Sequence, residues 1–317
     1  MFGYLVWRFG IDQILANVER AGWSLLYVIL VWLVIYLLNT FAWRLALDVH
    51  GKDITFPKLF VVTVSGFVLN YITPVVALGG EPYKVKALSG NIGANRSLSA
   101  VVLYRMVHLL GHMLLLLVGI VLALVSLSLA PVLNVVLLLT GLCILAVILL
   151  TLAGHRHGIF ERLQKFIART PLLRKASRLL EKYEGELEGM DAIITSVYRN
   201  SRKRFYLAIA IEFLSRVCMG VEVYLILHGV GIETSIASAI FIYVVYSIII
   251  NVLFFIPLNL GAREGGLYLG LETLALPPLL GVYLGIVMRM REFFWILLGL
   301  TFILFTAPRK ETSNPSI

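Results

Sequence analysis

The stretch Thr73-Pro74-Val75-Val76-Ala77-Leu78-Gly79-Gly80-Glu81 breaks an apolar run, and Ile256-Pro257-Leu258-Asn259-Leu260-Gly261-Ala262-Arg263-Glu264 breaks another in the same manner. In each, a proline stands seven residues before a glutamate, with glycine between them. Each phrase leads to an arginine set inside an apolar segment: Arg105 lies 24 residues beyond Glu81, and Arg289 lies 25 beyond Glu264. A single Pro-Gly-Glu cluster would say little. Two at matching offsets, each with its arginine, predict a duplicated unit.

Around these phrases the 317-residue chain is 60% hydrophobic and 14% charged, with a mean hydropathy of +0.92. Soluble domains carry about 25% charge, so the chain reads as an integral membrane protein. Runs 23–47, 98–125 and 132–152 are long enough to cross as helices, which needs about 20 residues. Alternating ten-residue barrel segments are absent, which leaves an all-α fold. The formal charge of +9 bears on topology and anionic lipid rather than on nucleic acid, for which no motif is present. Cys143 and Cys218 sit in apolar segments without metal-ligand spacing and read as packing residues, so neither a metal nor a cofactor is expected. Residues 1–10 lack a signal-peptide pattern.

Residues 11–20 put Ile11, Ile14, Leu15 and Val18 on one helical face, the pattern of an interfacial helix, before the first crossing at 23–47. Lysines flank both ends of 59–78, and Gly66, Asn70 and Pro74 interrupt it, so it is expected to enter from the cytoplasm and return as a re-entrant hairpin. Two full helices should follow, turning at 130–131. The segment 154–204 holds twelve Lys or Arg against six acids and is read as a cytoplasmic loop bearing an amphipathic helix. From 229 to 284 the only basic residue is Arg263, so the second hairpin, 239–258 with its Pro-Gly-Glu phrase, should dip from outside. The expected fold is therefore two inverted repeats, each span, re-entrant hairpin, span (about 21–130 and 205–307), plus one extra span (131–153) and the cytoplasmic helix. The C-terminus falls on the cytoplasmic side of the plasma membrane. Inverted repeats with interrupted helices are the ground plan of many secondary transporters.

An ionised side chain at the centre of a membrane helix costs about 2.5–3.5 kcal/mol on insertion scales, so it tends to be paired or functional. Arg105 and Arg289 are read either as cationic seats for an anionic headgroup, oriented by Glu81 and Glu264, or as ion pairs that lock hairpins to helices. Arg263 and Lys84 join them as candidate binding residues. Lys84 and Lys86 could collect acidic lipid heads, or form an ordinary solvated flank. Asn70, Pro74, Gly79, Gly80, Pro257 and Gly261 are expected to build the hairpins, whose broken-helix N-termini could also hold phosphate. His108 and His112, four apart, suit a metal or proton relay, but with no acidic or Cys partner at motif spacing the plainer reading is packing or a hydrogen bond. Glu212 and Arg216 read as an intrahelical pair. Arg291 and Glu292 either line the same cavity as Arg289 or satisfy one another. No nucleophile elbow, Walker loop, HExxH or paired-acid transferase motif occurs.

Gly80-Glu81 with Lys84, the Arg105 helix, and Gly261-Ala262-Arg263-Glu264-Gly265 with Arg289 together resemble the flippase-like transmembrane family typified by the membrane half of lysylphosphatidylglycerol synthases. Tyr104 and His108 stand where members usually carry acids. The resemblance implies translocation of an anionic or phosphate-bearing lipid. Lysyl transfer is not expected, since no soluble transferase domain follows Ile317. The alternatives are an accessory subunit of a lipid- or glycolipid-modifying enzyme, docked through 171–204, and an integral-membrane transferase.

Overall fold

The computed structural model describes residues 11–47, 54–73, 79–126, 131–154, 202–253 and 256–306, with side chains of the first helix from residue 22 onward. Pro74, most of the basic loop with its amphipathic helix and docking face, and the C-terminal tail lie outside the described residues. So do the first ten residues.

Among the described residues there are nine α-helices and no strand. They are α1 (Ile11–Ala46), α2 (Phe56–Ile72), α3 (Gly80–Ile92), α4 (Ala94–Ser126), α5 (Pro131–Gly154), α6 (Arg202–Gly229), α7 (Ile236–Val252), α8 (Ala262–Thr273) and α9 (Leu280–Thr306). Helix α1 is kinked at Gly22, whose φ of 44° sets residues 11–21 apart from the apolar rod Gly22–Ala46. That rod, Ala94–Val125 and Pro131–Leu152 are long and apolar enough to cross a membrane. Helices α6 and α9 match them in length, with 28 and 27 residues, but carry buried charge. Helices α2, α3, α7 and α8 have 17, 13, 17 and 12 residues. At 1.5 Å per residue each spans about 18–26 Å, short of the roughly 30 Å of a bilayer's hydrocarbon.

The short helices form two antiparallel hairpins in which glycine permits backbone contact. In the first, Gly80 lies beside Asn70 and Gly66 beside Lys84; a Cβ on Gly66 would stand 3.0 Å from Lys84 Cγ. In the second, a Cβ on Gly266 would stand 2.9 Å from the Tyr246 Cα, and one on Gly270 3.0 Å from the Ile242 Cα. Small residues at such contacts are what membrane helices use, because lipid supplies no hydrophobic drive between them and close van der Waals approach must replace it. The second turn is a short 3₁₀ segment, Pro257–Asn259, with Leu258 and Asn259 at φ 55° and 51°, and Gly261 at φ 83°. Only glycine takes that last conformation without steric cost.

The long helices arrange the hairpins reciprocally. On α4, the first half carries α3, with Glu81 against Arg105, and the second half carries α7, with Ser247 Oγ 3.3 Å from His112 Nε2 and Val244 against Gly119. On α9, the first half carries α8, with Tyr268 against Gly281 and Glu264 against Arg289. Its second half carries α2, with Tyr71 on Glu292 and Ser65 Oγ donating to the Gly299 carbonyl at 3.5 Å. Both hairpin turns therefore fall beside the middle of α4 and α9, and their arms extend away from each other. Helices α1 and α6 run antiparallel along their length, pairing Ser24 with Gly229 and Trp32 with Glu222. Helix α5 packs on α4 and stays at the rim, its span window only 11% buried.

Candidate functional site

The first hairpin turn is closed by Asn70. Its Oδ1 accepts the Gly80 N–H at 2.7 Å, and its Nδ2 donates to Glu81 Oε1 at 3.2 Å. The Gly79 N–H reaches Thr73 Oγ1 at 3.4 Å. In the second, Glu264 folds back so that its Oε2 accepts the Gly261 N–H at 3.0 Å. At the helix termini considered for phosphate, the amides of Gly80 and Gly261 are bonded to side chains of the protein, and a carboxylate stands in each first turn.

Both glutamates meet the arginine expected of them, but unequally. Glu264 Oε1 receives Arg289 Nε at 3.2 Å and Nη2 at 2.8 Å, and Arg289 Nη1 reaches the Leu258 carbonyl at 3.4 Å. Glu81 Oε1 has Arg105 Nη1 at 3.5 Å. Arg105, set inside an apolar segment of the sequence, is nevertheless 54% exposed at its side chain, because it faces out of the bundle beside α3.

Arg263 turns the other way from Glu264. It is buried, and its Nη2 lies 2.8 Å from Glu292 Oε1, whose other oxygen accepts the Tyr71 hydroxyl at 2.5 Å. The two hairpin turns thus join through one carboxylate: Asn70 and Tyr71 are adjacent, one bonding Glu81 and the other Glu292, and Glu292 holds the residue next to Glu264. A cavity of about 130 Å³ opens at this joint, walled by Trp32, Tyr36, Phe67, Trp295, Arg291 and Glu292.

Arg291 and Glu292 do not chiefly satisfy one another, being 3.8 Å apart. Arg291 gives Nε and Nη2 to Glu222 Oε1 at 3.0 and 2.9 Å, and its guanidinium sits 3.7 Å from the Trp32 ring centroid. The Trp32 indole N–H donates to the other Glu222 oxygen at 2.8 Å. Glu222, Trp32 and Tyr71 are participants that the sequence reading did not single out. Their partners lie 69, 190 and 221 residues away, and spacing within one helix cannot report such pairs.

A second cluster surrounds Glu212. The expected intrahelical pair is present but long, with Arg216 Nη2 3.9 Å from Oε2; the closer partner is the His108 ring, Nδ1 at 3.0 Å from Oε2, with Arg216 against the same ring. With its amide turned to donate, Asn39 reaches both Glu212 oxygens at 3.3 Å. The cluster ties α1, α4 and α6 together. His112 meets Ser247 and Asn251 Nδ2, at 3.3 and 3.2 Å.

Lys84 requires a correction. Grouped with Lys86 as a solvated flank, it is instead 2% exposed, while Lys86 is on the surface. Its Nζ lies 4.8, 5.3 and 5.5 Å from the ring centroids of Phe67, Tyr104 and Trp43. Two residues apart on a helix point nearly opposite ways, and Gly66 leaves the space through which the Lys84 stem passes. Aromatic faces attract an ammonium group, the more so where water is excluded.

The class these observations define is a polytopic helical membrane protein with two charged helical hairpins joined inside the bundle. The sequence model of the family described as "Lysylphosphatidylglycerol synthase TM region" matches residues 1–299, and the chain belongs to that family. No curated protein and no solved structure matches the chain.

Proposed function

We propose that this protein moves an anionic or phosphate-bearing lipid from one leaflet of the membrane to the other, and that its hairpins are re-entrant halves of two inverted repeats. The observation that carries the reading is the joint itself: two broken helices, one from each half of the chain, meet on Glu292 through Tyr71, next to the Asn70 that holds Glu81, and through Arg263, next to Glu264, and Glu292 faces a cavity. Interrupted helices meeting at a repeat interface are where secondary transporters bind substrate. Support for the inverted arrangement comes from α1 against α6, and from the way α4 and α9 each carry their own hairpin on one half and the other repeat's hairpin on the other. Membership of the family agrees with a role in lipid chemistry at the membrane. The positive-inside rule puts the basic loop and C-terminus in the cytoplasm, with the plasma membrane as the site of action.

The test is reconstitution in liposomes carrying fluorescent phosphatidylglycerol, with an impermeant quencher reporting the outer leaflet. Faster exchange than in empty vesicles is expected. Exchange no faster than the empty control, for phosphatidylglycerol and for a polyprenyl phosphate, would sink the reading.

A further inference from the structure

Arg105 and Arg289 hold matching places after their hairpins, yet only one is closed off. Arg289 makes three contacts and its side chain is 16% exposed; Arg105 makes one long contact and is 54% exposed. A half-open guanidinium on a helix whose outer surface presents Leu98, Val102 and Met106 is costly against hydrocarbon and calls for an anion.

The space beside it has the complementary shape. A groove of about 820 Å³ runs between α3 and α4, from Glu81 and Arg105 at the turn to Ser89 and Ala94 at the other end. Its walls are Pro82, Val85, Leu98, Val101, Val102 and Met106, and Lys86 stands on its rim. Small-ligand sites occupy about 300–1,000 Å³ and combine apolar walls with a few placed polar groups. Here the charged groups are two cations, Arg105 and Lys86, and one carboxylate, Glu81, which leaves one net positive charge. An amphiphile with an apolar chain and a single negative charge matches both features.

We propose that this groove takes one acyl chain of an anionic phospholipid of the surrounding bilayer, with the phosphate on Arg105. The proposal rests on the lipid-transport reading and adds to it a lateral entrance, distinct from the joint between the hairpins. It also assigns unlike roles to the two repeat-related arginines: Arg105 receives the headgroup, and Arg289 holds the second hairpin in place.

The experiment uses the full chain in phosphatidylcholine liposomes containing phosphatidylglycerol with a photoactivatable acyl chain, and a diacylglycerol probe with the same chain but no phosphate. After illumination, adducts are located by peptide mass spectrometry. Phosphatidylglycerol adducts are expected within 82–89 and 98–106, with about tenfold fewer from diacylglycerol, as the loss of a charge-assisted contact implies. Arg105→Gln should lower groove adducts by a similar factor, Arg105→Lys should keep most of them, and Leu98→Trp should block them while leaving the guanidinium intact. Equal labelling by both probes, labelling unchanged in Arg105→Gln, or adducts spread evenly over the outer face of α5 would overturn the assignment. Exchange measured on the same vesicles separates the two readings. Groove adducts without exchange sink transport and leave the groove; undiminished exchange in Leu98→Trp vesicles that have lost their adducts sinks the entrance and leaves transport.

Discussion

Glu222 and Arg291 are 1% and 3% exposed and meet through a hydrogen bond and a second ion contact, so removing one member strands the other in a site that neither water nor lipid solvates. Glu222→Gln is expected to cost about 3–5 kcal/mol, read as a lowered thermal midpoint in detergent, whereas the double change Glu222→Leu with Arg291→Met should recover most of it. Lys84 sets the opposite expectation. Its ammonium faces three aromatic rings and, among the described residues, no carboxylate within ion-pair distance, and a Met side chain fills the same channel with a sulfur that also favours ring contacts. Lys84→Met should therefore unfold within about 1.5 kcal/mol of the parent, the range of volume-conserving swaps, and slow lipid exchange if the ammonium serves the substrate. An unfolding midpoint far below the parent would show that the charge holds the hairpin instead. At this scale the sequence announced Glu81 with Arg105 and Glu264 with Arg289, because two similar phrases are each followed by an arginine, at 24 and 25 residues. It could not announce Glu212 with His108, a pair 104 residues apart that occurs once. Nor could it reveal the burial of Lys84, which depends on the missing side chain at Gly66 on another helix.

The hairpins stand or fall on their glycines. Gly265 and Gly266 are neighbours with opposite surroundings: a Cβ on Gly265 meets nothing within 4 Å, and one on Gly266 meets the Tyr246 Cα at 2.9 Å. Gly266→Ala is expected to push α8 off α7 and cost about 1–3 kcal/mol. Gly265→Ala should be neutral or stabilising by up to about 1 kcal/mol, from helix propensity alone. Thermal unfolding of both proteins side by side checks the pair, and equal effects would contradict the backbone contact. The apolar helices were readable from their length, and the breaks from Pro and Gly, but the return arms α3 and α8 were not: they are short and polar, and they lie beyond the 59–78 and 239–258 expected for the hairpins. Nor were the faces of the apolar helices: in α5 or α7 almost every residue is apolar, so there is no polar stripe to show which side meets protein. Contact in such helices is specified by small side chains, and a glycine looks the same in a turn, at a crossing or in a kink such as Gly22.

For the molecule as a whole, the opposed hairpins predict opposed feet. With Cys143 and Cys218 replaced, Asn95→Cys, just beyond the first hairpin, and Glu233→Cys, just before the second, should react with an impermeant thiol reagent from opposite sides of the membrane. Reaction of both from one side would remove the inverted arrangement. A cross-link asks whether the hairpins move: a Cβ at Gly299 would lie 3.1 Å from Val68 Cβ, so the two helices need part by only a few tenths of an ångström to reach the roughly 3.5–4.5 Å of a disulfide pair. Oxidising Val68→Cys with Gly299→Cys should bond the first hairpin to α9 and stop exchange until the bond is reduced, if sliding at this contact is part of the cycle. The reciprocal clasp of α4 and α9 has a further consequence, for biogenesis. Helix α5 covers α4 at Leu117 and Ile120 soon after it is made, but the face of α4 at His112 and Gly119 is covered only when α7 arrives, 110 residues after Ser126, the last residue of α4. At synthesis rates of 5–20 residues per second that is a delay of about 5–20 s, during which His112 and Gly119 have only lipid, translocon or chaperone for company. The two halves of the chain are born as strangers to a bilayer that suits neither alone, and quality control of this protein should act in that interval.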